Sequence, residues 1–404
     1  MNVLSKSKYP LSIHYEVKWF NSASEIPSEL WEACFPEPFE GYWWYQALEL
    51  AGLHGQFTFL YAVVSDASGQ VAIAPAFIMN VPMQLVLPPQ LNTLANLIGC
   101  LFPSALYQRT LFIGSPCSDE GRVGMLERVN RSEVLSCINQ GMQLQAKILN
   151  ASMRVWKDFP QDYANDFRAF KNNLFPLVSF PGTLVDFPNA NKEAYLASLK
   201  ASRRNKLKKK LRLAAEAPVE FDVLRQPDSV TLDEIFSLFW QTYEKGSTKF
   251  ERLNRKFFDL VAAESHSYFI VLREHASGEI VAFMLCFALG KHVINKFIGI
   301  NYQKPKEWFL YFRLWEAAVD WSTAQGATSM QSGQTGYSPK IELGHKLVPF
   351  TNYCAHINPI IHRIYARVAK TINWDTLDED LAIYLQAYPE HKPKALECAP
   401  SHLK

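Results

Sequence analysis

Residues 57–79 read FTFLYAVVSDASGQVAIAPAFIM, and residues 268–289 read YFIVLREHASGEIVAFMLCFAL. Each stretch is an apolar, β-branched run, then an Ala-Ser-Gly turn ending at Gly69 or Gly278, then a second apolar run. Two such runs around a short turn predict a β-hairpin, because glycine readily adopts the positive φ that the turn requires. The chain therefore carries two copies of one hairpin.

The likeness between the two regions continues on both sides of the hairpins. Each hairpin is preceded by a predicted amphipathic helix and followed by a strand ending in Phe-Ile-Gly and then by a long helix. The paired segments are 42–51 and 254–264, 112–114 and 297–299, and 132–151 and 308–325. Because the matches occur in the same order, an internal duplication explains them better than chance.

The chain of 404 residues is too long for one ordinary core, so two domains are expected. We predict an α/β fold of mixed sheets, with two tandem domains sharing a central cleft. The domain limits are placed at 1–188 and 189–380, with a tail over 381–404. In the second half the predicted order is β-α-α-β-β-β-α-β-α-β, ending in strand 350–357, with an additional helix over 359–372.

Bulk composition names no partner and excludes several classes of protein. The chain is 48% hydrophobic and 20% charged, with a formal net charge of +2. The N-terminus lacks the apolar run of a secretory signal, and prolines and asparagines interrupt the most apolar stretch, 85–107, so a cytoplasmic protein is expected. Seven scattered cysteines without a C-x-x-C pair, and ten histidines without H-E-x-x-H, argue against a disulfide framework or a metal site.

A dense basic segment stands out in this otherwise neutral chain. Eight of the thirteen residues from Lys200 to Arg212 are Lys or Arg. Leu196, Leu199, Leu207 and Leu211 fall near one helical face, which predicts one amphipathic helix with a cationic outer side. The residues assigned to polyanion binding are Arg203, Arg204, Lys206, Lys208 and Lys209. Three readings stay open: binding of a polyanion such as tRNA or CoA phosphates, a solvated linker helix, or contact with an anionic membrane.

Four stretches carry a resemblance to a known family. They are 37–49, 202–214, 239–246 and 332–347, the last reading SGQTGYSPKIELGHKL. Together with the element order, they resemble the FemAB-like and BioF2-like branch of the GNAT acyltransferase superfamily, which is often built from tandem GNAT domains. The resemblance implies an N-acyltransferase whose donor is an acyl-CoA or an aminoacyl-tRNA; some members of the family extend peptidoglycan peptides.

One loop departs from the pattern that the resemblance implies. A standard GNAT domain places Arg/Gln-x-x-Gly-x-Gly/Ala after its fourth strand, where backbone N–H groups hold the CoA pyrophosphate. The corresponding residues 301–308 read NYQKPKEW and contain no glycine. Lys304 and Lys306 are the candidates for neutralising a phosphate there. Gly333, Gln334 and Gly336 are predicted to lie at the donor cleft.

The catalytic candidates follow from the same resemblance. Lys340 occupies the place where the family has a lysine near the donor carbonyl, so its ammonium is expected to stabilise the oxyanion. Tyr337 is the candidate general acid. Glu244, or alternatively His345, is the candidate base, although alignment of an amine with an activated ester can suffice without one.

Three functions are compatible with these residues. The first is acylation of a small-molecule or peptide amine, with acyl-CoA as co-substrate and no tightly bound cofactor or metal. The second is aminoacyl-tRNA-dependent transfer of the peptidoglycan-bridge type, which the basic segment favours. The third is a non-catalytic scaffold that binds a nucleotide or RNA. No role for DNA is expected, and the oligomeric state is left open.

Overall fold

The protein is described here by a computed structural model that covers residues 14–82, 107–170, 174–246 and 251–393. The strands in these ranges are β1 (Glu16–Phe20), β2 (Thr58–Asp66), β3 (Gly69–Pro82), β4 (Tyr107–Ile113), β5 (Gly124–Met125), β6 (Met153–Pro160), β7 (Phe175–Val178), β8 (Gly182–Asp186), β9 (Val219–Leu224), β10 (Ser267–Glu274), β11 (Ile280–Leu289), β12 (His292–Ile300), β13 (Ser329–Gln331), β14 (Lys346–Val348) and β15 (Phe350–His356).

The helices in the same ranges are α1 (Ser28–Cys34), α2 (Tyr42–Leu50), α3 (Arg131–Ile148), α4 (Ala164–Ala169), α5 (Lys192–Ser198), α6 (Ala201–Ala214), α7 (Ser229–Lys245), α8 (Arg255–Ala262), α9 (Leu310–Ala324), α10 (Tyr337–Glu342), α11 (Pro359–Ala369), α12 (Trp374–Leu377) and α13 (Glu379–Ala387). Short 3₁₀ turns occur at Ala23–Glu25, Gln161–Tyr163, Pro188–Ala190, Lys306–Trp308 and Pro389–His391. No helix of the described ranges has the length and apolar character that crossing a bilayer requires.

Two mixed sheets have the same strand pattern, which confirms the predicted α/β class and the internal repeat. The first runs β1-β2-β3-β4-β6-β15-β7, with β5 added beside β3, and the second runs β9-β10-β11-β12-β13-β8-β14. In each sheet the first four strands are antiparallel, and the fifth is parallel to the fourth. Both predicted hairpins form, and Gly69 and Gly278 adopt positive φ values of 124° and 72°.

The two sheets exchange one strand each. β8 follows β7 of the first sheet but joins the second, and β15 follows β14 of the second sheet but joins the first. Strand 350–357 was predicted to close the second copy, and the structure corrects this because β15 pairs with β6 and β7. A proline, Pro181 or Pro349, precedes each exchanged strand, and its missing N–H helps end the ladder before the chain crosses. β8 therefore belongs to the second sheet although it precedes the domain limit predicted at residue 188.

Residues 192–214 form two helices, which corrects the prediction of one helix that joins Leu196 and Leu199 to the basic segment. α5 ends at Ser198, and Leu199 and Lys200 have extended backbone before α6 begins at Ala201. Leu207 and Leu211 lie in the core beneath α6, as predicted, but Leu199 belongs to the bend. The tail predicted from residue 381 begins inside α13. The apolar stretch 85–107 lies outside the described residues except for Tyr107.

Aromatic side chains fill the space between the two halves. α1 and α2 of the first half and α7 and α8 of the second share one apolar core. The ring of Trp44 on α2 packs edge-on against Phe257 of α8 and Phe287 of β11, at centroid distances of 5.8 and 5.6 Å. Asn254, the N-cap of α8, also donates to the Ala51 carbonyl across the interface at 2.7 Å. The halves are therefore joined by packing as well as by exchanged strands.

The two exchanged strands touch each other at Gly182, where β8 begins. A Cβ on this glycine would lie 2.7 Å from the Phe350 ring at the start of β15, closer than real Cβ contacts allow. We therefore expect Gly182→Ala to lower the free energy of unfolding by about 1–3 kcal/mol, measured by urea denaturation. Gly55→Ala, whose Cβ would meet nothing within 4 Å, is the control and should change stability by less than about 0.5 kcal/mol. Phe350→Leu is then added to Gly182→Ala. If the double variant recovers none of the lost stability, the contact with the Phe350 ring is not the cause of the loss.

Candidate active site

A cavity of about 600 Å³ opens between the sheets where the strands exchange. Both halves line it: from the first come Glu37, Phe39, Glu40, Asp119, Glu120 and Arg122, and from the exchanged strands and the second sheet come Gly182, Thr183, Lys291, His292, Ser329, Gln331, Val348 and Phe350. Four carboxylates face two permanent cations among these residues. The lining residues therefore carry an excess of acids, which Lys296 partly offsets because its ammonium lies beside Glu40 and Asp119.

The first half contributes a loop, residues 114–123, that is fixed from several sides. Gly121 packs so closely on the Lys157 carbonyl that no Cβ would fit, and its N–H donates to the Asp158 carbonyl at 2.9 Å. The Trp44 indole donates to Ser118 Oγ at 3.1 Å. The Arg122 guanidinium stacks 3.3 Å from the centroid of the Phe39 ring. These contacts hold Asp119 and Glu120 against the second sheet.

Lys296 is a buried cation in an otherwise apolar strand. Leu285 pairs with Phe297 and Cys286 pairs with Asn295, so Lys296 is the extra residue of a β-bulge, a device that re-aims a side chain. Its side chain is 1% exposed, and its Nζ lies 2.7 Å from Glu40 and 3.8 Å from Asp119. Burial lowers the pKa of Lys296, but the carboxylates of Asp119 and Glu40 outweigh it and hold the pKa above its ordinary value. The side chain is therefore an ammonium.

Lys340 on α10 is buried near Asp119 on the side of the second half, and it is not itself among the residues that line the cavity. Its Nζ donates to the Ser332 and Gly333 carbonyls, the latter at 3.3 Å. Burial lowers the pKa of Lys340 from 10.5 to about 8, and the charge of Asp119 opposes this shift. A Cβ on Gly333 would lie 3.9 Å from the Lys340 Nζ and 3.7 Å from an Asp119 oxygen, so both groups border this glycine. Gly333 has a φ of 50°, which keeps the space free of a side chain.

Asp119 has an unusual environment for a carboxylate. Its Oδ2 is buried, and no residue of the described ranges hydrogen bonds to it. Burial raises its pKa, whereas Lys296 and Lys340 act in the opposite direction. A carboxylate with a raised pKa and an unbonded oxygen is suited to accept a proton from a bound molecule.

Tyr337 and Gln334 serve the strand exchange in this structure. The buried Tyr337 hydroxyl donates to the Pro181 carbonyl at 2.8 Å, and the Gln334 amide donates to the Phe180 carbonyl at 3.0 Å. The Trp374 indole holds the preceding carbonyl, that of Ser179, at 3.1 Å. Three side chains thus bind three successive carbonyls of the segment between β7 and β8. Burial raises the pKa of Tyr337 far above its ordinary range.

The other predicted residues are distributed around the second half. Gly336 has a φ of 64° and begins α10. Lys304 pairs with Glu274 at 2.9 Å, and Lys306 is exposed before α9. Glu244 is exposed at the end of α7 and is not part of the cavity lining found among the described residues.

His345, the alternative base, lies in a separate buried pocket. Its Nε2 accepts a hydrogen bond from the Trp315 indole at 3.2 Å. Burial, together with the nearby charge of Lys340, lowers its pKa to about 3. The imidazole is therefore neutral at physiological pH.

α6 presents part of its positive charge to solvent. Lys206, Lys208 and Lys209 are exposed, and Arg203 is half-buried. Arg204 instead donates to the carbonyls of Ala197 and Leu199 at the bend.

A further cation of α6 connects this helix to α10. Lys210 pairs with Glu342 at 2.5 Å, and its ammonium lies 4.2 Å from the Phe312 ring centroid at the start of α9. The basic helix therefore contacts both the helix that carries Lys340 and the N-terminus of α9.

Sequence reasoning missed Lys296 on β12 and the acidic groups that the first half brings to the cavity. Lys296 could have been recognised from the sequence, because a lysine within the largely apolar run 292–300 predicts a buried charge. Asp119 and Glu40 offered no such signal, because each lies in a polar loop whose place opposite the second sheet is set by tertiary structure. The first half is thus more than a structural support.

Solved structures similar to this chain include FemX, with a TM-score of 0.56 at 11% identity over 86% of this chain and 100% of that chain. The C-terminal DUF2156 domain of a putative lysylphosphatidylglycerol synthetase from Agrobacterium fabrum gives 0.50 at 14% identity, over 82% and 90%. A tandem GNAT protein from the clavulanic acid biosynthesis pathway gives 0.47 at 10% identity, over 86% and 99%. At such identities the similarity concerns the fold alone, and the FemX match confirms the predicted FemAB-like GNAT architecture.

No curated protein sequence matches this chain. A family model does match it over residues 127–378, more than half of the chain. The description of that family is peptidoglycan biosynthesis/recognition. The matched range contains α6, Lys296 and Lys340, which are the parts of the candidate site that the second half supplies. This chain belongs to the FemAB-like family.

Proposed function

We propose that this protein transfers an acyl group from a phosphate-bearing carrier to an amine held in the cavity between the two sheets. Membership of the FemAB-like family supports the coarser statement, an acyl- or aminoacyltransferase. The observation that carries the finer proposal is the approach of Lys340 and Asp119 to Gly333 from opposite halves of the chain. A cation and a proton acceptor on either side of one glycine, with the acceptor also lining the cavity, match the two requirements of acyl transfer to an amine.

Lys340 would stabilise the oxyanion that forms when the amine attacks the donor carbonyl. Two backbone carbonyls already orient its ammonium. An ammonium has three N–H donors, so one remains for the developing negative charge. In a buried site such a preorganised donor is worth more than in water.

Asp119 would take the proton that the amine loses as the C–N bond forms, and would return it to the sulfur or 3′-oxygen of the carrier when the tetrahedral intermediate collapses and the bond to the carrier breaks. Its raised pKa makes it a better base than an ordinary aspartate, and its Oδ2 has no other hydrogen-bond partner among the described residues. Lys296 would hold this carboxylate in place and keep it ionised before the reaction. This assignment replaces Glu244 and His345 as the leading candidate for the base.

The acceptor would be an amine that carries further positive charge. Glu37, Glu40, Asp119 and Glu120 outnumber Arg122 and Lys291 in the lining. Such a cavity attracts cations and opposes phosphates. A lysine-like side chain or a polyamine fits this field, because one ammonium can bind while a second nitrogen reacts.

The donor would approach from the side of α6 and the α9 N-terminus. A helix N-terminus favours phosphate, and Lys210 lies beside it. Acyl-CoA and aminoacyl-tRNA both carry phosphates. The exposed lysines along α6 extend well beyond one pyrophosphate, which is the specific observation that favours aminoacyl-tRNA as a second candidate.

Neutralising the two central groups should separate chemistry from folding. We expect Lys340→Ala and Asp119→Asn each to lower kcat about 100-fold, measured by product formation with a panel of primary amines. Amines with a second positive charge should have higher kcat/KM than amines bearing a phosphate.

Matched substitutions on the surface serve as controls for this experiment. Lys256→Ala and Glu279→Gln remove the same charges at exposed positions and should leave the rate unchanged. Wild-type turnover in Lys340→Ala or Asp119→Asn would contradict the assigned roles.

The depressed pKa of Lys340 predicts a pH-dependent stability. Between about pH 8 and 10.5 the unfolded chain keeps this proton while the folded chain has lost it, so stability rises with pH in that window. The unfolding free energy of the wild type minus that of Lys340→Met should therefore increase by roughly 3 kcal/mol across the window, measured by urea denaturation at successive pH values. A difference that stays flat would place the pKa of Lys340 at its ordinary value.

The acyl carrier can be identified by titrating the protein with CoA and with tRNA that carries no amino acid. We expect Lys208→Glu/Lys209→Glu to weaken binding of tRNA about tenfold at moderate salt, whereas Lys245→Glu/Lys256→Glu, with the same charge change, should not. Binding of CoA that is unaffected by either variant identifies acyl-CoA as the carrier. Binding of neither CoA nor tRNA contradicts the proposed transfer from a phosphate-bearing carrier.

A further inference from the structure

Large aliphatic side chains are exposed at the end of the first sheet that lies away from the cavity loop. β4 and β6 begin there and β15 ends there, because Ser152 N–H donates to the Arg109 carbonyl at 3.0 Å and Ile357 N–H donates to the Ser152 carbonyl at 2.8 Å. The exposed side chains at this end are Tyr107, Leu144, Ile148, Ile357, Ile360 and Ile364. We call this set the isoleucine patch.

α11 forms the centre of the isoleucine patch. Ile360 and Ile364 lie one turn apart on one face of α11, Ile357 directly precedes its N-cap Asn358, and Ile360 is 64% exposed. The opposite side of α11 packs on β7 and β15 through partly buried side chains such as Tyr365. An aliphatic face of this kind on the outside of a helix is typical of an interaction surface.

The charges around the patch all have one sign. Exposed cations flank it at Arg109, Lys147, Arg363, Arg367 and Lys370. The three segments that build this end, 107–118, 134–157 and 343–374, contain no Asp or Glu. β3 and β4 also meet here, with Pro82 paired to Tyr107. In these three described segments the surface is therefore apolar and cationic, without acids.

We propose that the isoleucine patch docks on an anionic lipid bilayer. Aliphatic side chains insert into the interface between headgroups and acyl chains, and arginines and lysines beside them reach anionic headgroups. Each such cation adds attraction to an anionic surface. A second copy of this chain fits less well, since a two-fold contact would bring the same cations together with no acid to pair them. The docking surface is distinct from α6 and independent of the acyl-transfer proposal.

Co-sedimentation with vesicles tests this docking. The wild type should sediment with vesicles of equal parts phosphatidylglycerol and phosphatidylcholine, and much less with phosphatidylcholine alone. Ile360→Asp/Ile364→Asp should weaken binding to the anionic vesicles about tenfold or more, and Arg363→Glu/Arg367→Glu should do the same. Ile383→Asp on α13, where the side chain is 65% exposed, is the matched control and should bind as the wild type does.

Two further measurements test whether the variants are folded and whether the vesicles bind to α6 instead. Circular dichroism should show the wild-type fold in each variant, because the substituted side chains are exposed. Lys208→Glu/Lys209→Glu should retain vesicle binding. If this variant no longer binds vesicles, the lipid contact lies on α6 and the proposal is wrong. The proposal would also be wrong if the wild type did not bind anionic vesicles. A wild-type dimer that Ile360→Asp/Ile364→Asp converts to a monomer, with no vesicle binding by either, would show that the patch is a contact between two copies of the chain.

Discussion

The exchange of β8 and β15 is the constraint on which the rest of this molecule depends. Each sheet is completed only by a strand that the other half of the chain supplies. For the exchange to occur, the hydrogen-bonded ladder must end before the chain crosses to the other sheet. Pro181 and Pro349 help to end it because proline has no backbone N–H to donate. The side chains of Trp374, Gln334 and Tyr337 then donate hydrogen bonds to the carbonyls of the first crossing, which would otherwise be costly to bury.

The same exchange explains why a buried charge cluster is found where it is. The crossings bring Gly182 and Phe350 to the wall of the cavity, and the first-half loop packs onto them from the other side. Lys296 can be buried there because Glu40 and Asp119 from the first half compensate its charge. A buried lysine without such partners would be destabilising. The site is thus a product of the interface and belongs to neither half alone.

The sequence predicted those parts of the fold that depend on neighbouring residues. The paired apolar runs in 57–79 and 268–289, with their glycine turns, predicted β2, β3, β10 and β11 within a few residues. The exchange of strands could not be predicted in this way, because β15 has the same local pattern whichever sheet it joins. The bend at Leu199 was missed for a related reason: it depends on packing against Gly344, which lies far away in the chain. For the site, family resemblance pointed to Lys340, whereas Asp119 became a candidate only through its position opposite Gly333.

The pairing of β15 with β6 also has a consequence for biosynthesis. Val155 and Cys354 are partners in the first sheet, although they are separated by nearly half of the chain. A growing polypeptide emerges from the ribosome over many seconds, N-terminal region first. During that time the first sheet would lack the strand between β6 and β7, leaving their edges without their final partner. The nascent first half must therefore wait for the last quarter of translation, and it is at this stage that a chaperone would be of most use to it.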